Sequence, residues 1–277
     1  MQKISTCIWF DKNAEEAAAF YTSLFEDSHI SKVAHYNDAS AAASGQPKGS
    51  VMTISISLAG QDFLLLNGGP VYKPSPAISF YVGCKTENEI DELFKKLSEG
   101  GKVLMPLSKY PFSEKFAWFD DKYGVSWRLN LTTYTQKIVP SLFFVKENAG
   151  KAEEAINFYA SVFPNSKVDD ISRYEAGDMD KEGLIKHSFF TLCGQKFIAF
   201  DSTLPHAFNF TPGVSFIVNC DNQAELDEWW HKLNAVGEGQ CGWHTDKYGV
   251  SWQLVPAELD KLISDEDPEK SKRVMEA

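Results

Sequence analysis

The sequence predicts an α+β fold built from a repeated unit of one strand, one helix and three strands. Three observations predict it. The string Asp121-Lys-Tyr-Gly-Val-Ser-Trp127 recurs unchanged as Asp246-Lys-Tyr-Gly-Val-Ser-Trp252, so the chain is a duplication. Each copy carries two segments whose apolar residues repeat at helical spacing. Between those segments the apolar period falls to two, as in strands buried on one face.

The copies can be followed residue by residue. Glu15-Glu16-Ala17 leading to Phe20-Tyr21 matches Glu153-Glu154-Ala155 leading to Phe158-Tyr159. Leu58-Ala-Gly-Gln matches Leu192-Cys-Gly-Gln, and Ser79-Phe80-x-Val82-x-Cys84 matches Ser215-Phe216-x-Val218-x-Cys220. The offsets are 153 − 15 = 138, 192 − 58 = 134 and 215 − 79 = 136, but 246 − 121 = 125. The drop says that the second copy has lost a segment matching Lys102–Pro111 of the first. The expected domains are 1–133 and 138–256, with a helical tail over 257–277 started by Asp267 and Pro268.

Within each copy, Ala17, Phe20, Tyr21 and Leu24 lie on one helical face, as do Ala155, Phe158, Tyr159 and Val162. The second helix repeats this with Ile90, Leu93, Phe94 and Leu97, then Leu226, Trp229, Trp230 and Leu233. These aromatics are read as core. In the strands, Ile54, Ile56 and Leu58 alternate with Thr53, Ser55 and Ser57. Ser188, Phe190 and Leu192 alternate with His187, Phe189 and Thr191. Asp121 and Gly124, like Asp246 and Gly249, have the spacing of a tight turn. Val125, Trp127 and Leu129 then fall on one face, and Ser126 and Arg128 on the other. Thr132–Lys137 reads as a linker and Ala39–Gly49, small and polar, as a mobile loop.

The totals exclude several classes. With 277 residues, 43% hydrophobic and 23% charged, the chain is that of a globular protein. A net charge of −11 argues against nucleic-acid or anionic-membrane partners. Five cysteines without a C-x-x-C argue for free thiols in a reducing compartment. With no basic-then-apolar start and no membrane-length apolar run, a cytoplasmic protein is expected.

The pattern Ala14-Glu-Glu-Ala-x-x-Phe20-Tyr21-x-x-x-Phe25, with Leu-x-Gly-Gln and Asp-x-x-Gly-x-x-Trp, resembles the vicinal oxygen chelate superfamily. That superfamily includes glyoxalase I, extradiol dioxygenases and bleomycin-resistance proteins. The closer likeness is to its PhnB-like subgroup, and the tail Ser264–Ala277 shares it. The resemblance implies tandem glyoxalase-like domains, each of two βαβββ modules forming a curved mixed sheet with helices on the outer face. Subgroup members are often labelled 3-demethylubiquinone 3-methyltransferases. The residues do not support that activity, because no G-x-G-x-G turn for a nucleotide cofactor occurs.

The resemblance also implies metal-ligand slots facing a cup. By pattern they fall at Ser5 and Val139, near Ala77 and Gly213, at Arg128 and Gln253, and near Asn67 and Asp201. A divalent metal wants three or four N/O donors, and neither half offers three. An arginine at such a slot repels a cation. The weak metal candidates are His187, Asp201 and Gln253, against the simpler reading of His187 as a strand histidine bonded to a neighbour.

Alternation lines a first cup with Ser5, Cys7, Trp9, Thr53, Ser55, Ser57, Ser79, Tyr81, Trp118 and Arg128. A second would hold Phe143, His187, Phe189, Thr191, Ser215, Trp243 and Gln253. Arg128 either grips a carboxylate or phosphate at two points or pairs with an internal acid. The expected function is therefore binding of a small aromatic or anionic ligand without a resident cofactor. Two alternatives stand beside it. One is a metal-dependent lyase, isomerase or dioxygenase working through His187. The other is a structural remnant with filled cups. The two halves are expected to pair within one chain, as a monomer or a loose homodimer.

Overall fold

The structure, a computed structural model, describes residues 2–233, 242–256 and 259. The expected tail helix, apart from Leu259, lies outside the described residues. The chain forms four βαβ-type modules in succession. The first is β1 (Ile4–Phe10), α1 (Ala14–Thr22), β2 (His29–His35), α2 (Asp38–Ser44), β3 (Val51–Leu58) and β4 (Gln61–Asn67). The second is β5 (Ile78–Cys84), α3 (Glu87–Leu97), β6 (Lys102–Tyr110), β7 (Ser113–Asp120) and β8 (Ser126–Leu131). The third is β9 (Ile138–Phe144), α4 (Ala152–Val162), β10 (Lys167–Arg173), β11 (Ile185–Leu192) and β12 (Gln195–Asp201). The fourth is β13 (Val214–Cys220), α5 (Gln223–Leu233), β14 (Trp243–Thr245) and β15 (Ser251–Pro256).

The modules combine across the duplication. One compact unit is Met1–Tyr72 with Ser215–Ala277, and the other is Lys73–Val214. The first unit holds the sheet β14-β15-β13-β1-β4-β3-β2, and the second holds β10-β11-β12-β9-β5-β8-β7-β6. Each sheet therefore joins a module of one half to a module of the other. The sequence repeats mark the duplication, and the compact units cut across it. Both sheets are mixed: β1 pairs with β4 in parallel, as β5 does with β8, while β3–β4 and β5–β9 run antiparallel. Helices α1 and α5 cover one face of the first sheet, and α3 and α4 one face of the second.

Two local expectations change. The segment expected as a loop after Ala39 instead contains α2. Asn37 starts it by accepting from Ser40 N at 2.9 Å, and Gly45 ends it at φ 72°. The segment absent from the second half corresponds to β6, a strand that pairs with β7 at one edge of its sheet. The counterpart of β7, β14, is the edge strand of its own sheet among the described residues.

The repeated string is a lock on the last strand. The Asp121 carboxylate accepts hydrogen bonds from Tyr123 N at 2.8 Å, Val125 N at 3.0 Å and Trp127 Nε1 at 2.8 Å. Asp246 does the same with Tyr248 N, Val250 N and Trp252 Nε1 at 2.8, 3.0 and 2.8 Å. Gly124 and Gly249 turn at φ 83° and 89°, a region costly for other residues. Both tryptophans are fully buried on the helix side. Asp121→Ala strips three donors, two of them buried and one half-buried, of their acceptor, each worth about 1 kcal/mol. It is expected to lower unfolding free energy by roughly 3 kcal/mol in chemical denaturation. A loss below about 1 kcal/mol would contradict the lock.

Candidate functional site

The strand that follows the lock alternates. Trp127 turns to the helix side, so Arg128 must turn to the opposite face. In the register of the Lys73–Val214 sheet, Arg128 stands beside Tyr81 of β5 and Trp118 of β7. Phe143 of β9 and Phe200 of β12, themselves paired, complete the surround. The guanidinium carbon lies 4.1 Å from the Trp118 ring centroid, 4.8 Å from Phe200, 5.1 Å from Phe143 and 5.5 Å from Tyr81. The residue is only 6% exposed.

Among the described residues this arginine forms no ion pair, although Asp120 is near enough for the two charges to interact. Its Nη1 donates to the Tyr81 hydroxyl at 3.5 Å, while Nε and Nη2 are buried without any partner. No described carboxylate lies within ion-pair distance of it, so the internal-pair reading has no direct contact behind it. Asp120 lies two residues after Trp118 in β7, and its Oδ1 is buried without a hydrogen-bond partner; burial raises its pKa, with Ser126, Lys102 and Arg128 opposing. Burying an unpaired ion costs several kcal/mol. Each cation–π contact returns about 0.5–2 kcal/mol. The rings offset part of the cost and leave two strong donors unused.

Two histidines border the same box. His187 of β11 packs its ring 4.6 Å from Phe189 and 5.4 Å from Phe200. Burial lowers its pKa to about 4, Arg128 pushes the same way, and Asp170 opposes. His206 lies 5.0 Å from both Phe143 and Phe208, and its Nε2 is buried without a partner. Burial and Arg128 lower its pKa too, against Asp180. Beside the box, a cavity of about 270 Å³ is lined by Tyr134, Gln136, Val139, Asp169, Phe189 and Lys196, among others. Tyr134, Val139 and Phe189 also belong to the aromatic cluster around Tyr81 and Phe143.

The cups are thus partitioned differently from the sequence expectation. Tyr81, Trp118, Arg128, Phe143, His187 and Phe189 share the Lys73–Val214 unit, while Trp9, Thr53, Ser55, Trp243 and Gln253 belong to the other. The cause is the pairing of β5 with β9 and of β13 with β1. In the second set the Gln253 Nε2 donates to Ser215 Oγ at 2.9 Å, and Trp9 meets Trp243 edge-on at 6.0 Å. Phe200, His206 and Phe208 were missed. Phe200 was legible as the cup-side neighbour of Ile198 in β12. The histidine and Phe208 sit in a segment without periodicity.

The metal reading fails on the donor set. In the Lys73–Val214 unit the expected slots hold Ala77, Arg128, Val139 and Asp201. Asp201 faces the helix side, not the cup. It accepts from Gly150 N at 2.8 Å, Ala152 N at 3.1 Å and Ile185 N at 3.2 Å, and so caps α4. Asn67 does this for α1, accepting from Ala14 N at 2.9 Å. Gln253 lies in the other unit from His187 and Asp201, so the three weak candidates do not converge. Among the described residues no group of three or more His, Cys, Asp or Glu could hold a metal. These residues do not fit the divalent ion that the fold implies.

Comparison with known proteins gives the same architecture. The family model described as 3-demethylubiquinone-9 3-methyltransferase matches residues 2–130 and again 136–255. The chain belongs to this family. The PhnB protein of Bacillus cereus is 44% identical over 47% of this chain and all of its own, with a TM-score of 0.44. A protein from Staphylococcus aureus is 37% identical over 47% of this chain and 97% of its own, with a TM-score of 0.20. Glyoxalase I of Zea mays is 12% identical but covers 95% of this chain and 98% of its own at a TM-score of 0.58. That last likeness shows a duplicated glyoxalase-like, vicinal oxygen chelate fold. No curated protein matches the chain. No helix of the described residues is long and apolar enough to cross a membrane.

Two measurements check the electrostatics. Arg128→Leu removes an unpaired buried charge and is expected to raise the melting temperature by a few degrees, since about 1 kcal/mol moves it that far. A lower melting temperature would contradict the account. The His187 pKa is about 4 when folded, below its ordinary 6.5. Between those values the unfolded state holds a proton that the folded state lacks, so stability falls as pH drops from 6.5 towards 4. His187→Phe is expected to flatten that decline in thermal melts, with no effect above pH 7. An unchanged slope would contradict it.

Proposed function

We propose that the protein binds a small anionic ligand in the cup of the Lys73–Val214 unit. The ligand's anionic group sits on Arg128, and its apolar or aromatic body lies against the surrounding rings. The observation that carries this reading is the unpaired fork of Arg128, Nε and Nη2, inside four aromatic rings. A buried cation with spare donors is stabilised by an arriving anion more than an already paired one is. The fit of Arg128 to such a role is better than its fit to any metal-centred reaction, because it stands where a ligand to a cation would be required. The methyl transfer in the family's description has no support from the cup residues. His187 and His206, largely uncharged near neutrality, leave the anion's charge to Arg128.

A thermal-shift screen of small carboxylates, phosphates and matched neutral compounds tests this proposal. Some anions with an apolar body are expected to raise the melting temperature of the wild-type chain. At a hundred times the dissociation constant the gain is about 2.7 kcal/mol. Arg128→Leu, although more stable by itself, is expected to lose the response. Anions that stabilise both forms equally, or none that stabilises the wild type, would rule the reading out.

A further inference from the structure

We infer that the ligand of Arg128 is an aromatic carboxylate, read edge-on through Nε and Nη2. This rests on the proposed role of Arg128 as an anion anchor and specifies its chemistry. The unpaired pair matters because of guanidinium geometry. Nε–H and one N–H of Nη2 point in parallel from the same edge and match the two oxygens of a carboxylate. The other nitrogen, Nη1, already faces the Tyr81 hydroxyl. The ring centroids of Trp118 and Phe200 lie 4.1 and 4.8 Å from the guanidinium carbon, and those of Phe143 and Tyr81 at 5.1 and 5.5 Å, so aromatic carbon takes up much of the space around it. The edge formed by Nε and Nη2 is where an anion can take two parallel hydrogen bonds.

A carboxylate is planar and spends both oxygens on that edge. A phosphonate or sulfonate is tetrahedral, so at least one oxygen is directed off that edge, into surroundings that are mostly aromatic carbon. An unsatisfied buried acceptor costs about 1–3 kcal/mol. A benzoate-type acid keeps its ring coplanar with its carboxylate, so its body continues between the same aromatic walls.

The duplication supplies an independent comparison. Gln253 holds the register position of Arg128, flanked by Ile217 and Trp243 where Arg128 has Tyr81 and Trp118. Trp9 pairs with Leu66 where Phe143 pairs with Phe200. The tryptophan pair Trp9–Trp243, at 6.0 Å, keeps the geometry of Phe143–Trp118 at 5.9 Å. So two aromatic walls, Tyr81 and Phe200, are present with the cation and replaced by aliphatic residues without it. The rings and the cation thus go together, and the rings that steady Arg128 are also the walls an aromatic ligand would meet. Gln253, moreover, spends its amide on Ser215 and leaves no fork.

Titration calorimetry on the full chain, with wild type, Arg128→Lys and Arg128→Leu, tests the inference. The probes are benzoate, phenylphosphonate, benzenesulfonate, benzamide and acetate. Benzoate is expected to bind wild type at least about ten-fold tighter than the others, and Arg128→Lys, which keeps the charge but loses the fork, at least about ten-fold weaker. Phenylphosphonate or benzenesulfonate binding as tightly as benzoate overturns the planar-carboxylate reading but leaves Arg128 as an anion anchor. Equal affinity for acetate overturns the aromatic body, and equal affinity in Arg128→Lys overturns the fork. Benzoate binding unchanged in Arg128→Leu overturns the anchor itself. Silence from all five probes overturns this inference, and the broader screen with its own Arg128→Leu control then decides the anchor separately.

Discussion

The antiparallel pairing of β5 with β9 is the constraint on which the candidate site depends. It places Tyr81 of the first half against Val139 of the second, and Ile78 against Leu142. Without it Arg128 would keep Tyr81 and Trp118 but lose Phe143, Phe200, His187 and His206. Residues 132–137 carry the chain from β8 to β9, yet the strand that β9 joins is β5, whose residues precede their partners by about sixty positions. The duplication thus yields mixed cups, each with one wall from either copy. That is why the copies could diverge in charge without losing the fold: the Asp–Trp lock is on one face of the last strand, and the divergent residue is on the other.

The lock and the box illustrate two opposite treatments of buried charge. Asp121 and Asp246 are each satisfied by three donors and hold a turn in place. Asp201 is satisfied likewise and starts a helix. Arg128 is left with two donors unmet. Charge burial without partners is costly, and the proposed anion would offset that cost at Arg128.

Much of the fold was legible because its signals are periodic or local. The helical faces, the alternation in β3 and β11, and the Asp–Gly turns follow from side-chain spacing alone. Arg128 itself was legible, since strand parity puts it opposite Trp127. The errors came from non-local choices. Which module pairs with which is set by sheet assembly and has no local code, so the two cups were divided by sequence half. In β12 a shift of one residue mattered: Asp201 was read into the cup, whereas its carboxylate caps α4 and Phe200 faces the rings. The segment after Ala39 was small and polar, yet Asn37 and Gly45 made it a helix. His206 and Phe208 lie in an aperiodic stretch, where only tertiary contact shows their place.

The central claim is that the Arg128 fork is open and receives a carboxylate. The arginine Nε–H signal in NMR reads this directly. The account predicts that benzoate shifts the Arg128 Nε–H resonance strongly downfield, as a charged hydrogen bond forms, with Arg128→Lys serving to assign the signal. An Nε–H resonance that benzoate saturating the protein leaves unmoved would contradict it.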